Sequence, residues 1–566
     1  MRSFEARKSS FAAGQYDMPM MARSDVAGFE SAAFELKNVF GLPRGGVDQR
    51  GGLERVSSLP VTGGAVKMFP FKFNQEQKYI IVFTALKAFV FHDGAKTAEV
   101  DTPYAAADVP ELDAVQSLDT MIITSGKHPP ARLMRKGAHD SWEYAALTIT
   151  GAPQYTFDQT AEAAWSDARG WPKTCHFHEG RLYFGGTESL PNTIWGSKTN
   201  SPFDFTKTTS LLDDEGVEAT LEGGRAVAHI RSVASNQGLF IFTTEGPYAL
   251  TKSPVTPKTF MPQRYGAQPA GKIRNVEMDG AILFLTTKDG GMKPAVNEFV
   301  WNDDQGRFEA NDLNIRCYDI INAPVDCACR QGNTTDAANH LFVVNGDGTA
   351  AVLNLKRSQS MVGWSYFDTG GRFIAVAVND ADVYFVVERD GAYWLERLNG
   401  NRLTDGSTVL SQETETTQWS VAGYAGKTAA VIADGTPLGR FDVADDGSFE
   451  LPFAAKEIEI GYPFEVRIVP MPPAFDGGPD LTAFRWCITR LSLLLERSFG
   501  CRLNGRECIA PKFGTDVFNA KIQYVTGWKT VLLSGWVDAG TQRPVVISTS
   551  SELRLTLHAL VMEIVV

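Results

Sequence analysis

The sequence predicts a mainly β protein: an irregular β-propeller-like body of short antiparallel sheets, with an additional β-rich domain. Three observations predict it. From Val66 onward apolar residues come in short runs with a period of two, the mark of strands with one buried face. Turn signals such as His92-Asp93-Gly94, Asn236-Gln237-Gly238 and Asn345-Gly346-Asp347-Gly348 separate these runs and favour tight hairpins. The strand groups recur roughly every 35–65 residues, the sign of a repeated supersecondary unit. Stacked β-sandwiches satisfy the same pattern and stay open as the rival fold.

Residues 1–65 read as an N-terminal arm and a Gly-rich docking segment. Glu30–Phe40 has the composition of a short amphipathic helix, too short to be stable without packing on something. The hinge that follows holds Pro43, Arg44, Gly45, Gly46, Arg50, Gly51 and Gly52, with Arg55 just beyond. Its glycines permit positive φ and close backbone approach, and Pro43 biases Leu42 toward an extended conformation. Physically it is a docking loop with a basic rim or an ordinary linker.

Residues 66–400 form the body. Seven groups of strands begin near Val66, Ala114, Thr174, Val227, Val276, His340 and Arg372. Stretches near 151–171 and 204–224 lack the pattern and read as insertions, the second carrying the acidic cluster Asp213, Asp214 and Glu215. Residues 401–566 read as a C-terminal β-rich domain. In it Leu403–Ala422 is a Thr-rich crossover, Phe475–Pro479 a loop and Thr482–Phe499 a strand, and the apolar run Ala559–Val566 closes a sheet.

The chain has 566 residues, 43% of them apolar, with a net charge of -12 and a pI near 5.3. That composition supports sizeable cores. It argues against a free high-affinity nucleic-acid binder, which carries a basic surface. Seven cysteines are few for the length and lack metal or redox spacing, so they are expected to be thiols. No secretory leader is read at the N-terminus and no apolar run is long enough for a membrane-spanning helix, so no stable membrane insertion is expected.

Chemistry-bearing motifs are scarce. No nucleophile elbow, zinc-protease helix or phosphate-binding loop is present. His176 and His178 flank Phe177 at i and i+2, and a turn or surface role is favoured over a shared metal. Asp213, Asp214 and Glu215 are adjacent, so on an extended chain neighbours point apart and do not make an opposed carboxylate pair. The expectation is therefore no catalytic residues, no metal and no cofactor.

Several short segments in order resemble one family. They are Ala6–Gly14, Leu36-Lys37-Asn38, Pro43-Arg44-Gly45-Gly46-Val47 with Arg50-Gly51-Gly52, Trp195-Gly196-Ser197 with Ser201–Phe205, Thr244-Glu245-Gly246, Trp364-Ser365 and Leu395-Glu396-Arg397. Together they resemble the tail tubular protein B, or tail nozzle, family of short-tailed bacteriophages, with Gly51 standing where that family has proline. The resemblance covers residues up to about 400.

It implies a structural virion protein of the phage tail, made in the host bacterial cytoplasm. It implies a homo-hexamer that contacts tail adaptor proteins above and fibres or spikes at the side. A channel gating and conducting genomic DNA during ejection is implied as well, with non-specific passage of the DNA. A carbohydrate-binding receptor-recognition protein and a propeller glycosidase or lyase are the alternatives.

Overall fold

A computed structural model describes residues 3–222, 226–286, 293–332, 337–474, 485–509, 524–538 and 543–566. Within them the chain is almost entirely β, with a few single-turn 3-10 helices. Five separate four-stranded antiparallel or hairpin-built sheets follow one another in sequence, beginning at Lys67, Asp113, Thr174, Ile230 and Val276. Each is made of neighbouring strands joined by tight turns. Asp93, Asp279, Asp380, Asp390 and Asp434 take the left-handed conformation those turns need.

Alternation explains the burial. In Lys78–Thr84, Ile80 and Val82 face one layer while Tyr79, Ile81 and Phe83 face another. Both faces of most strands are therefore apolar, because each sheet is packed on both sides. The layers share cores in order: Phe71 with Leu133, then Ile122 with Phe184, Ile194 with Ile241, Phe242 with Phe284, Leu283 with Leu341, and Phe342 with Phe385. The series returns to its start, where Val82 and Phe89 pack with Ala377 and Val386.

The expected body, an irregular β-propeller-like unit of short sheets, is corrected here. None of the described sheets closes on itself, and the last two groups are not short. Pro324–Arg330, Asn339–Asn345, Ala350–Lys356 and Met361–Phe367 continue through Gly14–Gln15, Ala32–Lys37 and Glu465–Pro470 into a ten-stranded sheet. Arg372–Asn379, Asp382–Arg389 and Ala392–Asn399 continue through Gly52–Leu59 and Asp405–Ser420 into an eight-stranded one. The reason is backbone pairing. The arm offers unpaired N–H and C=O groups that must find partners once buried, and the free edges of these two sheets supply them.

Other local expectations change for related reasons. Glu30–Phe40 is not a helix: Phe29–Ser31 is one 3-10 turn and Ala32–Lys37 is a strand. Its ladder with Glu465–Pro470 outweighs the weak propensity of so short a helix. The crossover Leu403–Ala422 contains the 16-residue strand Asp405–Ser420, whose Thr content suits a half-exposed strand. The last run is the strand Thr556–Val565, and it lies inside its sheet rather than closing it. Trp486–Ser498 pairs on one side, Ser3–Lys8 and Val47–Gln49 on the other. The strand expected over Thr482–Phe499 is Trp486–Ser498, while the loop expected at Phe475–Pro479 lies outside the described residues.

Candidate functional site

The hinge is a tight turn followed by a buried clamp. Val39–Gly41 and Val47–Gln49 pair across a turn in which Gly46 accepts from Leu42 N–H at 2.7 Å. Pro43 is half-buried and Arg44 is exposed at the tip, while Gly45 takes φ +103°. Gly51 and Gly52 are required by contact. A Cβ would stand 2.2 Å from the Asn399 carbonyl oxygen at the first and 2.1 Å from that of Thr404 at the second.

Arg50 does not form a rim: its side chain is 0% exposed, as is that of Asp405. Nη1 and Nη2 reach the two carboxylate oxygens of Asp405 at 2.7 and 2.6 Å. Nε donates to Asn38 Oδ1 at 2.9 Å, and the remaining donors go to the carbonyls of Gly51 and Asp368 at 2.9 and 3.0 Å. All five guanidinium N–H groups are thus used. Arg55 lies over the rings of Trp394 and Tyr424 at 4.2 and 4.5 Å, a cation–π contact. Beside it, Arg389 and Glu396 form a second buried fork at 2.9 and 2.8 Å. Burial pushes the Glu396 carboxyl up, and Arg389 opposes that shift.

The acidic cluster is a loop anchor. Glu215 is buried and accepts from the Thr208 backbone N–H at 3.0 Å and hydroxyl at 2.5 Å, while Asp213 and Asp214 are exposed. Arg181, itself buried, holds the segment by its main chain, reaching the carbonyls of Asp213 and Glu215 at 2.8 and 2.6 Å. The carboxylates do not converge.

A shared cavity leaves no mark in the sequence. The first strands of seven successive groups line one space of about 320 Å³, contributing Lys67, Asp113, His176, Ser232, Glu277, Asp326 and Val376, with Arg274 and Asn275 just ahead of the fifth. A second space of about 310 Å³ has Lys67, Asp113, Ser232 and Arg274 in common with it and adds Lys127, Lys173, Arg231 and Lys272. Lys67 pairs with Asp326 at 2.9 Å in its wall. Burial, with Arg274 nearby, lowers His176 to about 4, so its ring is neutral at pH 7. His178 instead bonds Ser235 Oγ at 2.8 Å. Three of the lining strands are bulged, at Ile230/Ser232, Pro324/Asp326 and Phe373/Ala375. A bulge re-aims side chains, and no periodicity in the sequence announces it.

Among the described residues no group of three or more His, Cys, Asp or Glu side chains could hold a metal ion. All seven cysteines are unpaired thiols. No helix among the described residues is long and apolar enough to cross a membrane.

No protein-family model and no curated protein matches the chain. Solved structures to which it is similar include the WD40 domain of Neurospora crassa Pan2, at 11% identity and a TM-score of 0.38, covering 62% of this chain and 95% of that one. The RRP9 WD40 repeats align at 7% identity and a TM-score of 0.40, covering 62% and 100%. U3-55K aligns at 7% identity and a TM-score of 0.39, covering 61% and 98%.

The resemblance to the bacteriophage tail nozzle family is corrected here: no family model matches the chain to carry it. The DNA-conducting nozzle falls with it, and the carbohydrate-receptor and glycosidase alternatives gain no site from the geometry. The short motifs behind the resemblance have their own physical reasons: Gly51 and Gly52 answer close contacts, and Glu396 answers Arg389.

Proposed function

We propose that the chain is a non-catalytic β scaffold that assembles with a second copy of itself through the Val525–Leu532 edge of its C-terminal sheet. One observation carries this reading. Among the described residues, four of the 17 exposed large hydrophobic ones are Tyr524 at 47%, Trp528 at 47%, Leu532 at 75% and Trp536 at 50% exposure. Val525–Leu532 is an edge strand, paired only with Trp486–Ser498 among the described residues. Trp528 and Leu532 share a face, opposite Leu494 and Arg490, and Trp536 stands opposite Cys487.

An exposed apolar edge is a template for strand pairing, and a patch of this kind marks a protein interface. An antiparallel pair of identical edges is self-complementary under a two-fold axis, which makes a second copy the simplest occupant. The buried charge clamps suit a rigid subunit, because they spend their charges on internal partners.

Hydrogen exchange across a protein dilution series tests this. Amides of Val525–Leu532 should gain protection as concentration rises from about 1 to 50 µM, a range in which weak, standard-size interfaces populate. Protection that does not change with concentration would overturn the reading.

A further inference from the structure

Of the six cations that line the two adjoining spaces, four are paired with carboxylates and two are not, on a chain whose net charge is -12. In the second space Lys127 pairs with Asp108 at 2.8 Å, Lys173 with Glu188 at 3.1 Å and Lys272 with Glu111 at 2.6 Å. Lys67 is taken by Asp326. The carboxylates of Asp113 and Glu277 also line the first space, and Asp113 accepts from two neutral donors, the Thr174 hydroxyl at 2.5 Å and the Cys175 N–H at 3.3 Å. Arg231 and Arg274 remain, and neither forms an ion pair among the described residues. The Arg274 guanidinium lies over the Phe69 ring at 5.6 Å.

Unmade hydrogen bonds cluster at residues that line these two spaces, Ser232 in both, Arg231 in the second and Asn275 in the first. Ser232 is 6% exposed, and its Oγ has no hydrogen-bond partner among the described residues. The buried Nε of Arg231 and both amide atoms of Asn275 are likewise unpaired. A buried group without its hydrogen bond is costly, so their gathering around the two adjoining spaces suits a polar ligand. The backbone is shaped to collect them. Arg231 and Ser232 are sequence neighbours and would point to opposite faces of a regular strand. The bulge between Ile230 and Ser232 brings both to the same cavity.

We propose that the second space binds the phosphate group of a small phosphomonoester, with Arg231 and Arg274 as paired guanidinium forks and Ser232 as a further donor, while Asn275 lines the adjoining space. A tetrahedral dianion takes several donors at once, and guanidinium forks match its oxygens in geometry and charge. The adjoining space, of about 320 Å³, is at the lower end of small-molecule sites and admits the organic part.

Titration calorimetry on the full chain, at ionic strength matched with chloride, tests it with inorganic phosphate in one arm and ribose 5-phosphate in the other. Saturable binding of ribose 5-phosphate is expected, at least tenfold tighter than that of inorganic phosphate. It should weaken at least tenfold in Arg231→Gln and in Arg274→Gln. Arg274 also packs on Phe69, so Arg231→Gln and Ser232→Ala, each checked for an unchanged melting transition, keep the test independent of folding. Absence of saturable binding in both arms up to about 20 mM, or wild-type affinity in Arg231→Gln, would overturn the site. Equal affinity in the two arms would overturn the phosphomonoester assignment.

Discussion

Arg50 and Asp405 stand 355 residues apart in the chain and meet in a two-pronged hydrogen-bonded fork, with neither side chain exposed. The pair ties the N-terminal arm to the strand that leads into the C-terminal region. Thr369 joins it, donating to Asp405 Oδ2 at 2.6 Å and accepting from Arg389 at 2.6 Å. The two buried forks therefore share one residue and act as a single network.

Removing one partner of the first fork should be costly. Arg50→Met leaves the Asp405 carboxylate buried without its counter-charge, and a loss of about 3–5 kcal/mol is expected. The double variant Arg50→Met/Asp405→Leu should recover part of it, because no unpaired charge remains. Guanidinium denaturation of both variants checks this; equal losses in the single and double variants would contradict it.

Gly52 tests the close approach of the arm. Gly52→Ala places a methyl group 2.1 Å from the Thr404 carbonyl oxygen, whereas Gly400→Ala meets nothing within 4 Å. The first should lower stability by about 1–3 kcal/mol or more, as overpacking does, and the second should leave the thermal midpoint nearly unchanged.

Acid should weaken the fold through His340. Burial, with the Arg330 guanidinium beside it, lowers this imidazole to about 3 from the ordinary 6.5. The unfolded chain then binds the proton more readily than the folded one. The stabilisation is complete above pH 6.5 and is lost as pH falls toward 3, at up to about 1.4 kcal/mol per pH unit. His340→Gln should flatten the pH dependence of the denaturation midpoint across that window. An unchanged slope would contradict the assignment.

Thiol reactivity should follow burial. Burial pushes the Cys175, Cys317 and Cys327 thiols up, and Cys501 up to about 12, while Cys487 and Cys508 are partly exposed. With a thiolate-reactive disulfide reagent at pH 8, the last two should modify first and the buried four only on unfolding.

The strand content of the body was legible because turn dipeptides and a period of two are local signals. Tyr79–Phe83, Arg181–Gly185 and Val383–Arg389 could be read directly. What joins these strands was not legible. Ala32–Lys37 finds its ladder on Glu465–Pro470, and Gly52–Leu59 finds its own on Ala392–Asn399, and a pairing across hundreds of residues leaves no periodic trace. The Gly-rich hinge stood out, yet whether Arg50 faces solvent or Asp405 depends on a partner the local sequence does not name. Arg231, Ser232, Arg274 and Asn275 stayed hidden because a bulge and the convergence of separate sheets bring the first three to one space and Asn275 to the adjoining one.

Self-association through the C-terminal edge is most directly tested by sedimentation velocity. The wild-type chain and the Trp528→Lys/Leu532→Lys variant are compared over the same concentration range. The wild type should sediment progressively faster as concentration rises, and the variant should stay at the monomer value of 61.9 kDa with its melting transition intact. A wild type that remains monomeric throughout, or a variant that associates as the wild type does, would contradict it.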